Sequence, residues 1–246
     1  MILLLRTAFL VLLVGLWYLA AANVGRNVIA TPLETLDAAR RLAESGRLLS
    51  AVGDTLRVYL TGFALAALVA IPAGVLMGTV RILGKTLDIF VFALAATPRV
   101  AFIPLIIVLL GLGLEAKVFI VFLGAIMPIL INTYAGVQAV DDELIEMARS
   151  VAASRARIFW RIILPSAVPF TVAGLRIGAT IGLINTVVAE LYTAVSGLGG
   201  LLALFGNTFR MAEYLVIVIT LALIGVVVTE ILRQAERRLE GWRGKG

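Results

Sequence analysis

The sequence contains no cysteine and no histidine, and charged residues occupy only 15% of its 246 positions. These absences exclude disulfides, thiol nucleophiles, histidine-based catalytic triads and zinc sites built on either residue. Soluble domains carry about 25% charged residues, whereas hydrophobic residues here reach 61%. A soluble protein of this size could not bury so much apolar surface in one core. The composition therefore indicates a polytopic membrane protein and argues against a disordered chain, a nucleic-acid module or a free cytosolic enzyme.

The charge balance is basic, with 21 Lys and Arg against 15 Asp and Glu, a formal net charge of +6. In a soluble domain such an excess would suggest nucleic acid as a partner. In a membrane protein it follows from the enrichment of Lys and Arg in cytoplasmic loops. We therefore expect a lipid membrane, and no nucleic acid, around this chain.

Six apolar runs approach the roughly 20 residues that a helix needs to cross a membrane. A cleaved signal peptide is the alternative for the first run, because three alanines follow it like a cleavage site. Its thin positive start and near-span length favour a retained helix. The sequence thus predicts an all-α integral membrane protein with about six transmembrane helices, at 2–22, 56–80, 89–112, 118–138, 166–191 and 213–232.

Basic residues concentrate in 81–88, in 139–165 and in the tail, all on one side of a six-helix arrangement. The positive-inside rule makes that side cytoplasmic and places both termini in the cytoplasm. The segment 23–55 mixes Arg with Asp and Glu and is nearly neutral. Within it, we expect an amphipathic helix over 33–50 on the outer interface.

Two apparent nucleotide motifs fail on inspection. In the run 78–86 the P-loop pattern requires glycine at the position of Thr79, and the run joins two membrane spans and not a strand to a helix. The glycines at 111–113 follow a span and lack a βαβ unit. We find no paired catalytic groups either, so we expect a non-enzymatic chain with no cofactor or metal and with any ATP bound by a partner.

The most informative polar segment is 139–165. Acidic residues cluster at its start and arginines towards its end, which suits a helix macrodipole. A narrow apolar face is formed by residues that recur at helical spacing: Leu144, Ile145, Ala148, Val151 and Ala152. The pair 164–165 is expected to end this helix before the next span. Residue chemistry alone leaves two interpretations open, a helix inserted into a groove of another protein or a linker that touches only headgroups.

This segment resembles the EAA loop of ABC-importer permeases. The family pattern is Glu-Ala-Ala, three residues, Gly, nine residues, Ile, one residue, Leu-Pro. Two positions depart from it, methionine in the triplet and alanine where the family has glycine. Because the two replacements, Met147 and Ala152, are helix formers, we expect the central turn of the motif to be straighter in this chain. The resemblance implies ATPase-coupling roles for Glu146, Met147, Ala148, Ala152, Ile162, Leu164 and Pro165.

Further motifs narrow the resemblance to the nitrate/sulfonate/taurine-type permeases. They lie at 30–32, 54–58, 97–105, 111–113, 136–137, 174–178, 189–190 and 197–199. The resemblance implies a type I ABC importer permease fold, a single permease domain over 1–246 with a cytoplasmic coupling loop at 139–165, and a bacterial inner-membrane location. It also implies a homodimer with two ATP-binding subunits and a periplasmic or lipid-anchored solute-binding protein.

Charged or helix-breaking residues inside spans are candidates for the translocation path or its gate. Arg176, Thr180 and Glu190 share one face of the fifth span, and Pro98 with Arg99 interrupts the third. Snorkelling to an interface or pairing with a neighbouring helix is the favoured alternative for Arg176 and an equal alternative for Glu190. A packing kink could account for the interruption.

Two functional alternatives remain beside an importer of sulfonates, taurine or nitrate. The same architecture could carry a thiamine-precursor pyrimidine or another small organic solute. A stand-alone secondary transporter would need ion-coupling carboxylates, which are few in the spans, and would leave the EAA-like loop without a role.

Overall fold

The computed structural model describes residues 1–24 and 28–240, and every element in that part of the chain is helical. A 3₁₀ turn (Arg99–Phe102) precedes α5, and a π-helical turn (Phe159–Ile163) joins α8 to α9. The helices are α1 (Ile2–Val24), α2 (Pro32–Glu44), α3 (Arg47–Thr79), α4 (Arg81–Ala96), α5 (Ile103–Leu110), α6 (Leu114–Gln138), α7 (Asp142–Ser150), α8 (Arg155–Ile158), α9 (Leu164–Thr193), α10 (Gly197–Asn207) and α11 (Met211–Glu240).

Five helices in this part of the chain are long and apolar enough to cross a membrane, and a bent pair supplies a sixth candidate span. The bent pair joins Arg81–Ala96 to Arg99–Leu110 at an angle of 79°. The single helices are Leu4–Asn23, Arg47–Thr79, Leu114–Gln138, Arg155–Thr193 and Met211–Gln234. These findings confirm an all-α membrane protein with about six transmembrane helices.

The amphipathic helix predicted over 33–50 is shorter than expected. It begins with a capping box in which Thr31 Oγ1 accepts from the Glu34 amide and the Glu34 carboxylate accepts from the Thr31 amide. It ends at Glu44, because Gly46 adopts a φ of +71° that breaks the helix. Residues 47–50 belong to α3 instead, so the second span starts well before residue 56.

The chain divides into two compact units. One comprises residues 1–56 and 190–224, and the other comprises residues 57–189 together with the chain from 225 onward. In the first unit, the Trp17 indole Nε1 donates to the carbonyl oxygen of Ala30 over 2.9 Å and connects α1 to the start of α2. The guanidinium of Arg210 lies 4.9 Å from the ring centroid of Phe205.

In the second unit, a row of small residues lets α3 approach α6 closely. Gly62, Ala66, Ala70, Gly74 and Gly78 repeat every four residues and so lie on one face of α3. A Cβ atom at position 74 would lie only 2.8 Å from the carbonyl oxygen of Leu130 on α6. Small residues at such a spacing are typical of membrane helices that pack backbone to backbone. These glycines therefore serve packing, and α3 continues through them without a break.

Candidate functional site

The EAA-like segment begins with a well-formed short helix. Asp141 is the N-cap of α7, and its Oδ1 accepts from the Glu143 amide over 2.9 Å. Acidic residues occupy the first turn and Arg149 the last, so the charges oppose the helix dipole as the sequence predicted. The segment is therefore locally stabilised before any partner contributes.

Helix α7 ends in a sharp turn centred on Ala152, which adopts a φ of +56°. The amide of Ala153 donates to the carbonyl of Ala148 over 3.0 Å, and the amide of Ala152 donates to that of Arg149 over 2.9 Å. These two bonds define a Schellman motif, whose left-handed position is usually glycine. The expectation of a straighter turn is wrong: alanine here holds the left-handed conformation, because both bonds satisfy carbonyls at the end of α7.

The expectation that Leu164 and Pro165 end a helix is also wrong. The helical path runs without a break from Arg155 to Thr193. Proline inside an α-helix lacks an amide and clashes with the carbonyl four residues earlier. Here the π-turn immediately before it, in which the Leu164 amide donates to the Phe159 carbonyl, widens the backbone at that place. The proline is thereby accommodated, and the segment connects directly to α9.

Of the residues implied in coupling, some are exposed to solvent and others line a groove. Met147 is 64% exposed, and Leu144 and Val151 beside it are 46% and 74% exposed. Ala148 and Ile162 line a common groove of about 390 Å³. The structure therefore brings the two ends of the EAA-like pattern together and leaves an apolar face of α7 uncovered.

Glu146 is exposed on α7 and forms no hydrogen bond or ion pair within the part of the chain that the structure describes. Within that part of the chain, the carboxylate therefore neither caps α7 nor bridges it to another helix. Its availability leaves it to contact a partner.

The third span bends where the sequence has Pro98 and Arg99. The guanidinium of Arg99 donates to the carbonyl of Ala95 over 3.1 Å and to the carbonyl of Gly124 on α6 over 3.0 Å. The break exposes carbonyl groups that a continuous helix would satisfy. The side chain of Arg99 thus satisfies one such carbonyl and fastens the bend to α6.

Arg176 is held by an ion pair. Its Nη1 lies 2.9 Å from Oε2 of Glu236 on α11, and the hydroxyl of Thr180 donates to the Arg176 carbonyl over 3.2 Å. Thr180 is exposed, whereas Glu190 on the same helix is fully buried. The three path candidates therefore differ in accessibility, and Arg176 is paired with Glu236 on the neighbouring helix α11.

The buried carboxylate of Glu190, near the end of α9, contacts α3 and the start of α10. Its Oε2 accepts from the hydroxyl of Thr55 and from the amide of Gly199, each over 2.9 Å. The same Thr55 hydroxyl oxygen accepts from the amide of Leu198 over 2.8 Å. Two of the amides at the start of α10 are thus satisfied by side chains of α3 and α9.

Sequence reasoning missed two residues around this carboxylate, Thr55 and Gly197. Thr55 lies within the family-like motif at 54–58, and nothing local predicts that its hydroxyl contacts residue 190. Gly197 has a φ of +84°, and a Cβ there would overlap the Glu190 carboxylate. Its glycine-rich surroundings were the only available signal.

The sequence of this chain is similar to those of known transport permeases. The chain is 36% identical to a probable ABC transporter permease protein of Brucella abortus (strain 2308), over 94% of this chain and 92% of that protein. It is 34% identical to the taurine transport system permease protein of Escherichia coli (strain K12), over 77% and 68% of the two chains. It is 28% identical to a nitrate import permease protein of Synechocystis, over 90% and 83%.

A solved structure has the same fold. A chain of the methionine ABC transporter in an inward-facing conformation superposes with a TM-score of 0.70, covering 80% of this chain and 98% of its own, at 19% identity. The family model of the binding-protein-dependent transport system inner membrane component matches residues 70–241. The protein is therefore a multi-pass membrane permease of that family, with the ABC importer permease fold.

Proposed function

We propose that this protein is the permease subunit of an ATP-driven importer of the bacterial inner membrane. One observation carries the proposal. Helix α7, which ends in the Schellman turn, is amphipathic, and its exposed apolar face is not covered by any other part of the described chain. An amphipathic helix of this kind suits insertion into a groove on a partner. The family resemblance supports one of two cytoplasmic ATP-binding subunits as that partner.

In this mechanism the coupling segment acts as a lever. ATP binding closes the two ATP-binding subunits, and each moves the α7 lodged in it. The direct helical connection from Arg155 into α9 transmits that motion to the membrane. The other permease subunit is a second copy of this chain, and a solute-binding protein delivers the solute on the opposite side.

For the solute we propose a small molecule or ion with an anionic group, such as taurine, another sulfonate or nitrate. The names of two relatives, a taurine and a nitrate permease, support this class. We place the path beside the bend at Pro98 and Arg99 and beside the exposed Thr180. Arg176 borders that path and holds α9 to α11 through its ion pair with Glu236. In the first unit, Glu190 is the candidate for the gate, held by its contacts with Thr55 and Gly199.

Substitution of Met147 by glutamate tests the coupling role. This change puts a charge on the exposed face of α7 without disturbing a buried contact. We expect the permease to insert normally but to lose at least about 90% of solute-stimulated ATPase activity, because desolvating an unpaired charge in an interface is costly. Ser150→Glu adds the same charge to α7 about 60° from Met147 and about 100–120° from Val151 and Leu144, and should retain most activity.

The measurement uses the importer complex, co-purified with its ATP-binding subunits and assayed in proteoliposomes with its binding protein. Coupling that survives Met147→Glu would contradict the role of α7. Uphill transport by the permease alone, driven by an ion gradient, would favour the secondary-transporter alternative. Competition of uptake by taurine, nitrate and a pyrimidine then identifies the class of solute.

A further inference from the structure

A large basic cavity in the second unit has no role in the function proposed above. It has a volume of about 1120 Å³, which is ample for a small ligand. Its wall carries the side chains of Arg81, Lys85, Arg149 and Arg155 and one carboxylate, that of Asp142. The charged groups that line the cavity therefore sum to +3.

The four cations are not neutralised by the protein. In the part of the chain that the structure describes, none of their side chains forms an ion pair or a hydrogen bond. Like charges around one concavity raise its positive potential and attract anions. The start of α4 at Arg81, where no side chain caps the helix, adds the positive end of a helix dipole to the same wall.

The cavity lies where apolar helices end. Thr79 ends α3, Arg81 begins α4, Gln138 ends α6 and Arg155 begins the long helix that continues as α9, and all four residues line it. Apolar runs stop at the boundary between the hydrocarbon core and the headgroups. The cavity is thus at the depth of lipid phosphates and also open to soluble anions.

Helix α7 presents different faces to this cavity and to its surroundings. Asp142, Ile145 and Arg149 line the cavity, whereas Leu144 and Met147 belong to the exposed apolar face. At 100° per residue the centres of the two faces are about 160° apart around the helix axis. A ligand in the cavity and a protein on the apolar face could therefore contact α7 together.

We propose that this cavity binds a phosphate-bearing anion, with Arg81, Lys85, Arg149 and Arg155 as its cationic ligands. Guanidinium and ammonium groups form short, charge-assisted hydrogen bonds with phosphate oxygens. Gln138 and Thr79 on the same wall supply neutral polar groups for the remainder of a headgroup. The ligand is a phospholipid headgroup or a soluble phosphate compound. Such a site gives a role to Arg81 and Lys85, the basic residues of the P-loop-like run at 78–86.

The test measures dissociation constants of the purified full-length protein at fixed ionic strength. The probes are dihexanoyl phosphatidylglycerol, dihexanoyl phosphatidylcholine and inorganic phosphate. We expect phosphatidylglycerol to bind at least about tenfold more tightly than phosphatidylcholine because only the former carries net negative charge. Tight binding of phosphatidylglycerol alone identifies a lipid site, and comparable binding of inorganic phosphate identifies a site for soluble phosphates.

Variants locate the binding. Arg81→Gln with Lys85→Gln should weaken anion binding about tenfold or more. The matched control, Arg233→Gln with Arg237→Gln, removes the same charge from exposed positions on α11 outside the cavity and should leave binding within about twofold, since exposed charges contribute little. If the first double variant does not fold, Arg155→Gln at the exposed start of α8 replaces it.

Two results would overturn the proposal. One is a wild-type protein that binds neither anion more tightly than phosphatidylcholine. The other is an equal loss of binding in the cavity variants and the α11 control, which would show that binding depends only on the net charge of the protein. Neither readout involves transport or ATP hydrolysis, so failure here is distinguishable from failure of the proposed coupling role.

Discussion

The hydroxyl of Thr55 donates to Oε2 of Glu190 over 2.9 Å, although 135 residues separate the two along the chain. Both residues are fully buried, and the same hydroxyl oxygen accepts from the amide of Leu198. Buried polar groups of this kind must find partners, because leaving one unsatisfied costs about 1–3 kcal/mol. This contact joins α3, α9 and the start of α10 in the first unit.

We predict that Thr55→Val lowers the free energy of unfolding by about 2 kcal/mol, since it removes a donor and an acceptor from buried partners. In a chain of this length that corresponds to a fall in Tm of roughly 4–8 °C. Tm is measured in detergent from intrinsic tryptophan fluorescence. Thr186→Val is the control: Thr186 is equally buried, but its hydroxyl bonds only the Gly182 carbonyl in its own helix. Equal losses in both variants would contradict this prediction.

Two glycines with similar positive φ angles allow the effect of backbone strain to be separated from the effect of steric crowding. Gly111 has a φ of +77° and open space where a Cβ would lie, whereas a Cβ at Gly197, with a φ of +84°, would overlap the Glu190 carboxylate. We predict that Gly111→Ala costs about 1 kcal/mol and that Gly197→Ala costs about 3 kcal/mol, because overpacking adds to the strain. Thermal unfolding of the two variants under identical conditions provides the measurement. Indistinguishable values would show that the carboxylate moves aside freely.

The turn after α7 should be improved by a single substitution. Ala152→Gly is expected to stabilise the protein by about 1 kcal/mol, because glycine adopts positive φ without the penalty of a Cβ. Ala156→Gly, in the regular helix α8, should instead destabilise it by about 0.5–1 kcal/mol. Opposite shifts in Tm for these two variants are the predicted result. A loss of stability in Ala152→Gly would mean that the left-handed turn is not formed in the membrane.

Variants of the ion pair between Arg176 and Glu236 test whether Arg176 has a structural role or binds solute. We predict that Arg176→Gln and Glu236→Gln each reduce stability, and that their double variant loses less than the sum by about 1 kcal/mol. Uptake by the double variant in proteoliposomes should remain within about threefold of wild type if pairing is the role of Arg176. Abolished uptake in a stably folded double variant would instead assign Arg176 to solute binding.

Hydropathy and spacing alone determined the class of this protein and its broad architecture. Runs of apolar residues predict spans because each backbone segment in lipid must satisfy its own hydrogen bonds. The EAA-like spacing and the interruption at Pro98 and Arg99 are likewise local patterns. They predicted an EAA-like segment and an interruption of the third span, and the structure bends by 79° at that interruption.

The tertiary structure decided how these pieces are held. Helix propensity predicted a straight turn at Ala152, but two carbonyls at the end of α7 need the amides that only a left-handed residue brings into place. Proline rules predicted a helix end at Pro165, but a π-turn accommodates the ring. The partners of Glu190 and Arg176 lie 135 and 60 residues away in sequence, respectively. Their pairing depends on which helix faces meet, and a one-dimensional pattern does not contain that information.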